Sequence, residues 1–189
     1  MNVPQSLRKI ITHIFILFMI ILLIVSFSSS YASLNIDNLA FVVALGIDTG
    51  ESHKLKVTFQ FTNLPSTLEG NASKESQTVF NTVEAPSINT AIQLINAYLG
   101  KKINLSHCKL IVFSEEIASQ GISEHVYTLM NDSQVRPSSN IIVSKCEAKT
   151  YIEESFPSLE ELSSQYYEIF AQSDQYTGLV VNSTIRRFF

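Results

Sequence analysis

His107 and Cys108 stand side by side in a chain that holds two cysteines and four histidines. A thiol beside an imidazole is what a cysteine nucleophile requires, because the imidazole can take its proton. The segment around them reads as a strand, however, and neighbours on a strand point to opposite faces. The two side chains therefore cannot pair directly, and no catalysis is expected there. His13, His53, His107 and His125 show no metal-ligand spacing. Gly46-Ile47-Asp48-Thr49-Gly50 has the glycines of a phosphate loop but no helix behind it, so it reads as a hairpin turn. Glu115-Glu116 and Glu153-Glu154 read as solvated helix ends rather than acid–base pairs. Cys108 and Cys146 both lie in apolar, strand-like runs. They are either two buried free thiols or, outside the cytoplasm, one disulfide. Asn71, Asn104, Asn131 and Asn182 each open a glycosylation tripeptide, a pattern frequent by chance. No catalytic residue, cofactor or metal site is expected, which leaves a binding or assembly module.

The N-terminus explains where such a module works. Arg8 and Lys9 precede twelve unbroken apolar residues, Ile14 to Val25, and no acid occurs before Asp37. That length is the apolar core of an export signal. Ser30 and Ala32 then fit a small-x-small cleavage pattern, with cutting after Ala32. Counted from Ile10 to Phe27, the run is also nearly long enough to span a bilayer at about 1.5 Å per residue. Residues 1–32 are thus either a cleaved signal peptide or a retained anchor. The basic flank keeps the N-terminus inside in both cases, so the rest is expected outside. Beyond the leader stand eleven basic and seventeen acidic residues, a balance near −6. That acidity argues against nucleic acid and against docking on anionic lipid.

The elements that must position any site follow from periodicity. Residues 39–47 are continuously apolar and read as a strand buried on both faces. Residues 54–61 alternate, with Leu55, Val57, Phe59 and Phe61 on one face and Lys54, Lys56, Thr58 and Gln60 on a wet one. Together they predict a β-hairpin. Residues 63–76 read as a long polar loop and 77–83 as a third strand. Ser87 is expected to cap a helix carrying Ile88, Ala91, Ile92, Ile95 and Leu99, closed by Gly100. A strand at 109–113 precedes a helix capped by Ser114 and ended by Gly121. Ser123 starts another helix, with Val126, Leu129 and Met130 inward. A short strand at 141–143 follows, then helices at 148–155 and 158–171, the last with Leu159, Leu162, Tyr166 and Phe170 on one stripe. Near the end, Asn182 or Ser183 is expected to cap a single helical turn, which cannot stand alone. The fold class is therefore α+β: a mixed β-sheet with an N-terminal hairpin, layered by helices.

The order of these segments resembles the N-terminal domain of the Ger(x)C family, the C subunits of spore germinant receptors. The resemblance rests on Ile36-Asp37-Asn38-Leu39-Ala40 through Ala44-Leu45-Gly46-Ile47-Asp48, on Ala91-Ile92, on residues 105–118 beginning Leu105-Ser106-His107-Cys108, and on Leu129-Met130-Asn131-Asp132-Ser133-Gln134-Val135-Arg136-Pro137. It implies residues 33–178 as the family's first domain and 179–189 as the start of a truncated second one. It also implies a non-enzymatic subunit on the outer face of the inner spore membrane. Its partners would be integral membrane subunits A and B, in a complex answering small nutrient germinants. The family carries a lipobox cysteine where this chain has Ser30, and a serine hydroxyl cannot replace the thiol that accepts the diacylglycerol. No lipidation is expected. His107 and Arg136 are the motif residues open to a functional role. Each also has a structural reading: His107 bonding backbone at a strand start, Arg136 pairing with Asp132. A stand-alone exported sensor is the alternative; it needs a pocket for which Phe59, Phe61, Tyr98 and Tyr127 are candidates, although these four read rather as core residues. A secreted hydrolase lacks a nucleophile constellation.

Overall fold

The computed structural model describes residues 5–28, 38–51, 55–62, 78–154, 163–178 and 181–188. It divides into two units, residues 1–36 and 37–189. The first holds helix α1, Gln5–Ser28. Its side chains are described from Arg8 to Leu23 and all are exposed. Within the described residues no helix is long and apolar enough to cross a membrane.

The second unit is built on a mixed, open sheet of six strands: β1 Leu39–Asp48, β2 Leu55–Thr62, β3 Thr78–Ala85, β4 Lys102–Asn104, β5 Leu110–Ser114 and β6 Asn140–Ser144. The strand order is β3-β2-β1-β5-β6, and β4 pairs beside the start of β1. β1 and β2 form the expected antiparallel hairpin, and β3 extends it antiparallel. β4, β5 and β6 are parallel to β1 or to each other. The three-residue β4 has no signal of its own; Asn96 holds it by accepting the Ile103 N–H at 2.7 Å.

Helices cover both faces. On one side lie α2 Ile88–Leu99, α3 Glu115–Gln120, α4 Ser123–Asn131 and the single turn α7 Ile185–Phe188. Leu45, Ile47, Val57, Phe59, Ile111 and Phe113 bury their side chains among those helices' Ile88, Ile95, Ile117 and Leu129. Each such side chain contributes about 1.5–3 kcal/mol when fully buried. On the other side lie α5 Ala148–Glu154 and α6 Ser163–Ala171, over Ala44, Leu110 and Val112. A register shift between Val42 and Ala44 adds one residue to β1. That bulge is why Val42, Leu45 and Ile47 share a core although a flat strand would split Val42 from the other two.

Local signals account for the helix ends. Ser87 accepts the Thr90 N–H at 3.2 Å, and Gly100 closes α2 at φ 61°. Such a left-handed φ is costly for any residue with a Cβ. Ser114 accepts the Ile117 N–H at 3.4 Å. Four expectations fail. α4 starts at Ser123 as expected, but its Met130 faces solvent instead of the core. On α6 the buried positions are Tyr167 and Ala171, one residue round the helix from the expected stripe of Tyr166 and Phe170. Ser183 does not cap α7; its hydroxyl donates to the Ile141 carbonyl. Thr58 and Gln60 are buried rather than wet, because β2 is an interior strand with helices on both sides. The expected loop at 63–76, Leu159 and Leu162 lie outside the described residues.

The C-terminal residues pack on the sheet. Ile141 N–H donates to the Ser183 carbonyl at 2.7 Å, Ile185 N–H to Ser139 at 2.9 Å, and Arg186 N–H to Pro137 at 3.0 Å. Ile185 is fully buried. A one-turn helix persists here because the turn before β6 takes up its free N–H groups.

Candidate functional site

The two motif segments that frame His107 and Arg136 meet at the entry to β5 and β6. Asn104 accepts the Ser106 N–H at 2.8 Å, and Cys108 N–H donates to the Leu105 carbonyl at 3.0 Å. These bonds wind residues 105–108 into a tight turn rather than a strand. From the second segment, Asp132 accepts the Gln134 N–H at 2.8 Å, and Gln134 in turn accepts the Leu105 N–H at 3.2 Å. Ser139 Oγ donates to the Cys108 carbonyl at 2.7 Å. The segments are thus stitched together by side chains that satisfy backbone groups, a use that favours Asn, Asp and Ser in turns.

Within this knot His107 is exposed and Cys108 is fully buried. The imidazole lies edge-on against Phe41, with centroids 4.9 Å apart, and its Nδ1 is 3.1 Å from Ser106 Oγ. Partial desolvation lowers its pKa, and the charges of Arg136 and Lys109 lower it further. Burial pushes the Cys108 thiol up to about 12, and its Sγ donates to the Leu110 carbonyl. A thiol of that kind is a poor nucleophile at neutral pH. Arg136 is exposed, and no ion pair joins it to Asp132 among the described residues. Asp132 spends one carboxylate oxygen on its own turn instead. Ser30 lies outside the described residues.

Both cysteines are free. The expectation that Cys146 is buried is overturned: it sits in the bend after β6, exposed, with Sγ 3.1 Å from Ser144 Oγ. The aromatic pocket does not form either. Phe59 and Phe61 are core residues, while Tyr98 and Tyr127 are exposed on α2 and α4. An open groove of about 680 Å³ lies beside β6, lined by Ile142, Val143, Val181 and Phe188 among others.

Two polar residues escaped the sequence reading. Asp48, the end of β1, is 2% exposed. Its two oxygens accept the Ala148 N–H at 2.6 Å and the Lys149 N–H at 3.0 Å. The aspartate of the Gly-Ile-Asp motif therefore caps α5, a hundred residues away, and the motif is more than a hairpin turn. Gly46 makes the approach possible, since a Cβ there would lie 3.2 Å from the Ala148 carbonyl carbon. Gln60 is the other. Tyr167 donates its hydroxyl to Gln60 Oε1 at 2.8 Å, both residues are buried, and burial raises the tyrosine pKa despite that bond. The partners stand 107 positions apart, so no local pattern announces either contact.

Residues 32–189 match the family model described as spore germination protein N-terminal domain. The chain belongs to that family. The match runs from the leader's end through α7, so the knot, the Asp48 cap and the C-terminal turn all lie within the spore germination domain. No curated protein and no solved structure matches the chain.

Proposed function

We propose that this chain is the extracytoplasmic N-terminal part of a germinant-receptor C subunit, acting without catalysis by assembling with integral membrane subunits A and B. The family match over residues 32–189 carries the reading. The buried Ser139, Asp48 and Tyr167 spend their polar atoms on bonds within the domain, and the buried Cys108 thiol is a poor nucleophile, which supports a role in assembly. The basic flank and apolar run of the leader support a place outside the cytoplasmic membrane. With Ser30 at the lipobox position, attachment rests on an uncleaved leader or on the partner subunits.

The decisive experiment deletes the reading frame in its own host. Spores without it should lose the germination response to at least one amino acid, sugar or nucleoside, and complementation should restore that response. Undiminished germination on every nutrient the parent uses would refute the reading.

A further inference from the structure

The acidic total conceals an uneven distribution. α2 runs back from the far end of β3 to Gly100, so Lys101 and Lys102 fall beside Leu39, the first residue of β1. Arg136 lies in the turn before β6, and Arg186 N–H is bonded to Pro137 in that same turn. Arg187 follows, its guanidinium donating to the Asn182 carbonyl. All five side chains are exposed. Between these groups sits His107, which feels the charge of Arg136 and touches Phe41 near the start of β1. Among the described residues two acids lie in this neighbourhood: Asp132, half-buried and turned onto Gln134 N–H, and Glu168, paired with Lys109 next to His107. The described ion pairs, Lys56–Glu147, Lys109–Glu168 and Lys149–Glu153, use none of the five. At the opposite ends of the strands and in the helices and turns beginning there, Glu51, Glu115, Glu116, Glu124 and Glu147 outnumber Lys56, Lys145 and Lys149.

The basic end is the one at which the chain enters the domain. Nine residues, 29–37, separate the end of α1 from Asn38, and a chain of that length reaches about 30 Å at full extension.

We propose that this end of the domain docks on anionic lipid headgroups, with Lys101, Lys102, Arg136 and Arg186 supplying the attraction. The inference rests on the reading that the leader holds the chain at a membrane. Charge complementarity selects the occupant: a negatively charged leaflet draws basic residues that come within about a Debye length, 8–10 Å at physiological salt. The net charge near −6 does not prevent this, because the acids at the far end lie beyond that screening distance.

The test uses the full chain, leader included, reconstituted into phosphatidylcholine vesicles with or without phosphatidylglycerol. A fluorophore is placed at the basic end by Ser133→Cys in a Cys146→Ser background, or at the acidic end on native Cys146. Energy transfer to a lipid acceptor is then measured. At low salt the residue 133 probe should show a rise of about twofold on anionic vesicles, the attraction acting once per basic residue near the surface. High salt should remove the rise, and the Cys146 probe should show none. Adding Lys101→Glu, Lys102→Glu and Arg186→Glu should abolish it, while Lys101→Arg, Lys102→Arg and Arg186→Lys should keep it. Equal transfer on both vesicle types overturns the proposal, as does a rise that survives charge reversal. If lipid charge has no effect but the reversed variant loses cross-linking to the membrane subunits in cells, the surface meets protein and the lipid assignment fails. If a high-salt wash strips the chain from both kinds of vesicle, the anchored-leader reading falls first and this inference with it.

Discussion

Gly46 and Asp48 show how much one residue decides here. β1 is an interior strand, and α5 rests against it at Gly46, where no side chain intervenes. A methyl group at Gly46 would meet Ile152 Cδ1 at 3.0 Å, which can rotate, and the Ala148 backbone at 3.2 Å, which cannot without shifting α5. Gly46→Ala should therefore destabilise the domain by about 1–3 kcal/mol in urea unfolding, the usual cost of overpacking. Asp48→Ala removes both acceptors from the first N–H groups of α5 and should cost about 1–2 kcal/mol. His107 adds a pH effect. Its folded pKa is lowered from the ordinary 6.5, so the unfolded chain binds a proton more readily. The stability linked to it is present above the unfolded value and is lost as pH falls from there through the lower folded value. Between about pH 7.5 and 5.5 the wild type should lose more stability than His107→Gln, with parallel curves counting against the assignment.

At the scale of elements, α6 depends on a polar contact in a setting where burial usually does the holding. It seats Tyr167 on Gln60 in the middle of the sheet, with the Lys109–Glu168 pair at its edge. Tyr167→Phe strands the Gln60 carbonyl oxygen in a dry site and should cost about 1–3 kcal/mol, since an unmet buried acceptor carries its full desolvation penalty. Pairing it with Gln60→Leu should recover a large part of that loss. A double-mutant cycle with additive costs would show that the bond does not hold α6 in place. The same contact explains why β2 misleads as a sequence. Its alternation of Thr and Gln with Leu, Val and Phe is the pattern of a half-wet strand, and only the packing of α5 and α6 on that face dries it.

For the whole molecule the two thiols report on both fold and topology. Cys146 is exposed and Cys108 is buried with its pKa near 12. The native domain should take up one thiol label per chain and two after unfolding. In intact cells a membrane-impermeant reagent should reach Cys146 if the domain lies outside, and labelling only after lysis would place it inside. The lipobox position gives a companion measurement. Wild-type chain should incorporate no labelled palmitate, whereas Ser30→Cys should incorporate it and resist a carbonate wash, since two or three acyl chains each add about 0.8 kcal/mol per buried methylene.

Patterns within ten or so residues were legible without coordinates. The apolar run of β1, the alternation that makes the hairpin, and the Ser87, Ser114, Gly100 and Gly121 boundaries all follow from local periodicity and capping chemistry. The strand expected at His107 and Cys108 is instead a turn, because Asn104 and the Leu105 carbonyl take up the Ser106 and Cys108 N–H groups. The tertiary structure alone decided what joins residues far apart in sequence. It put Asp48 under α5, Tyr167 against Gln60, and Gln134 on Leu105. It also buried Gln60, exposed Cys146, and brought five exposed basic side chains to one end of a chain whose total charge is negative. A composition sums charge without position and a strand pattern records alternation without neighbours, so neither holds these outcomes until the elements are packed.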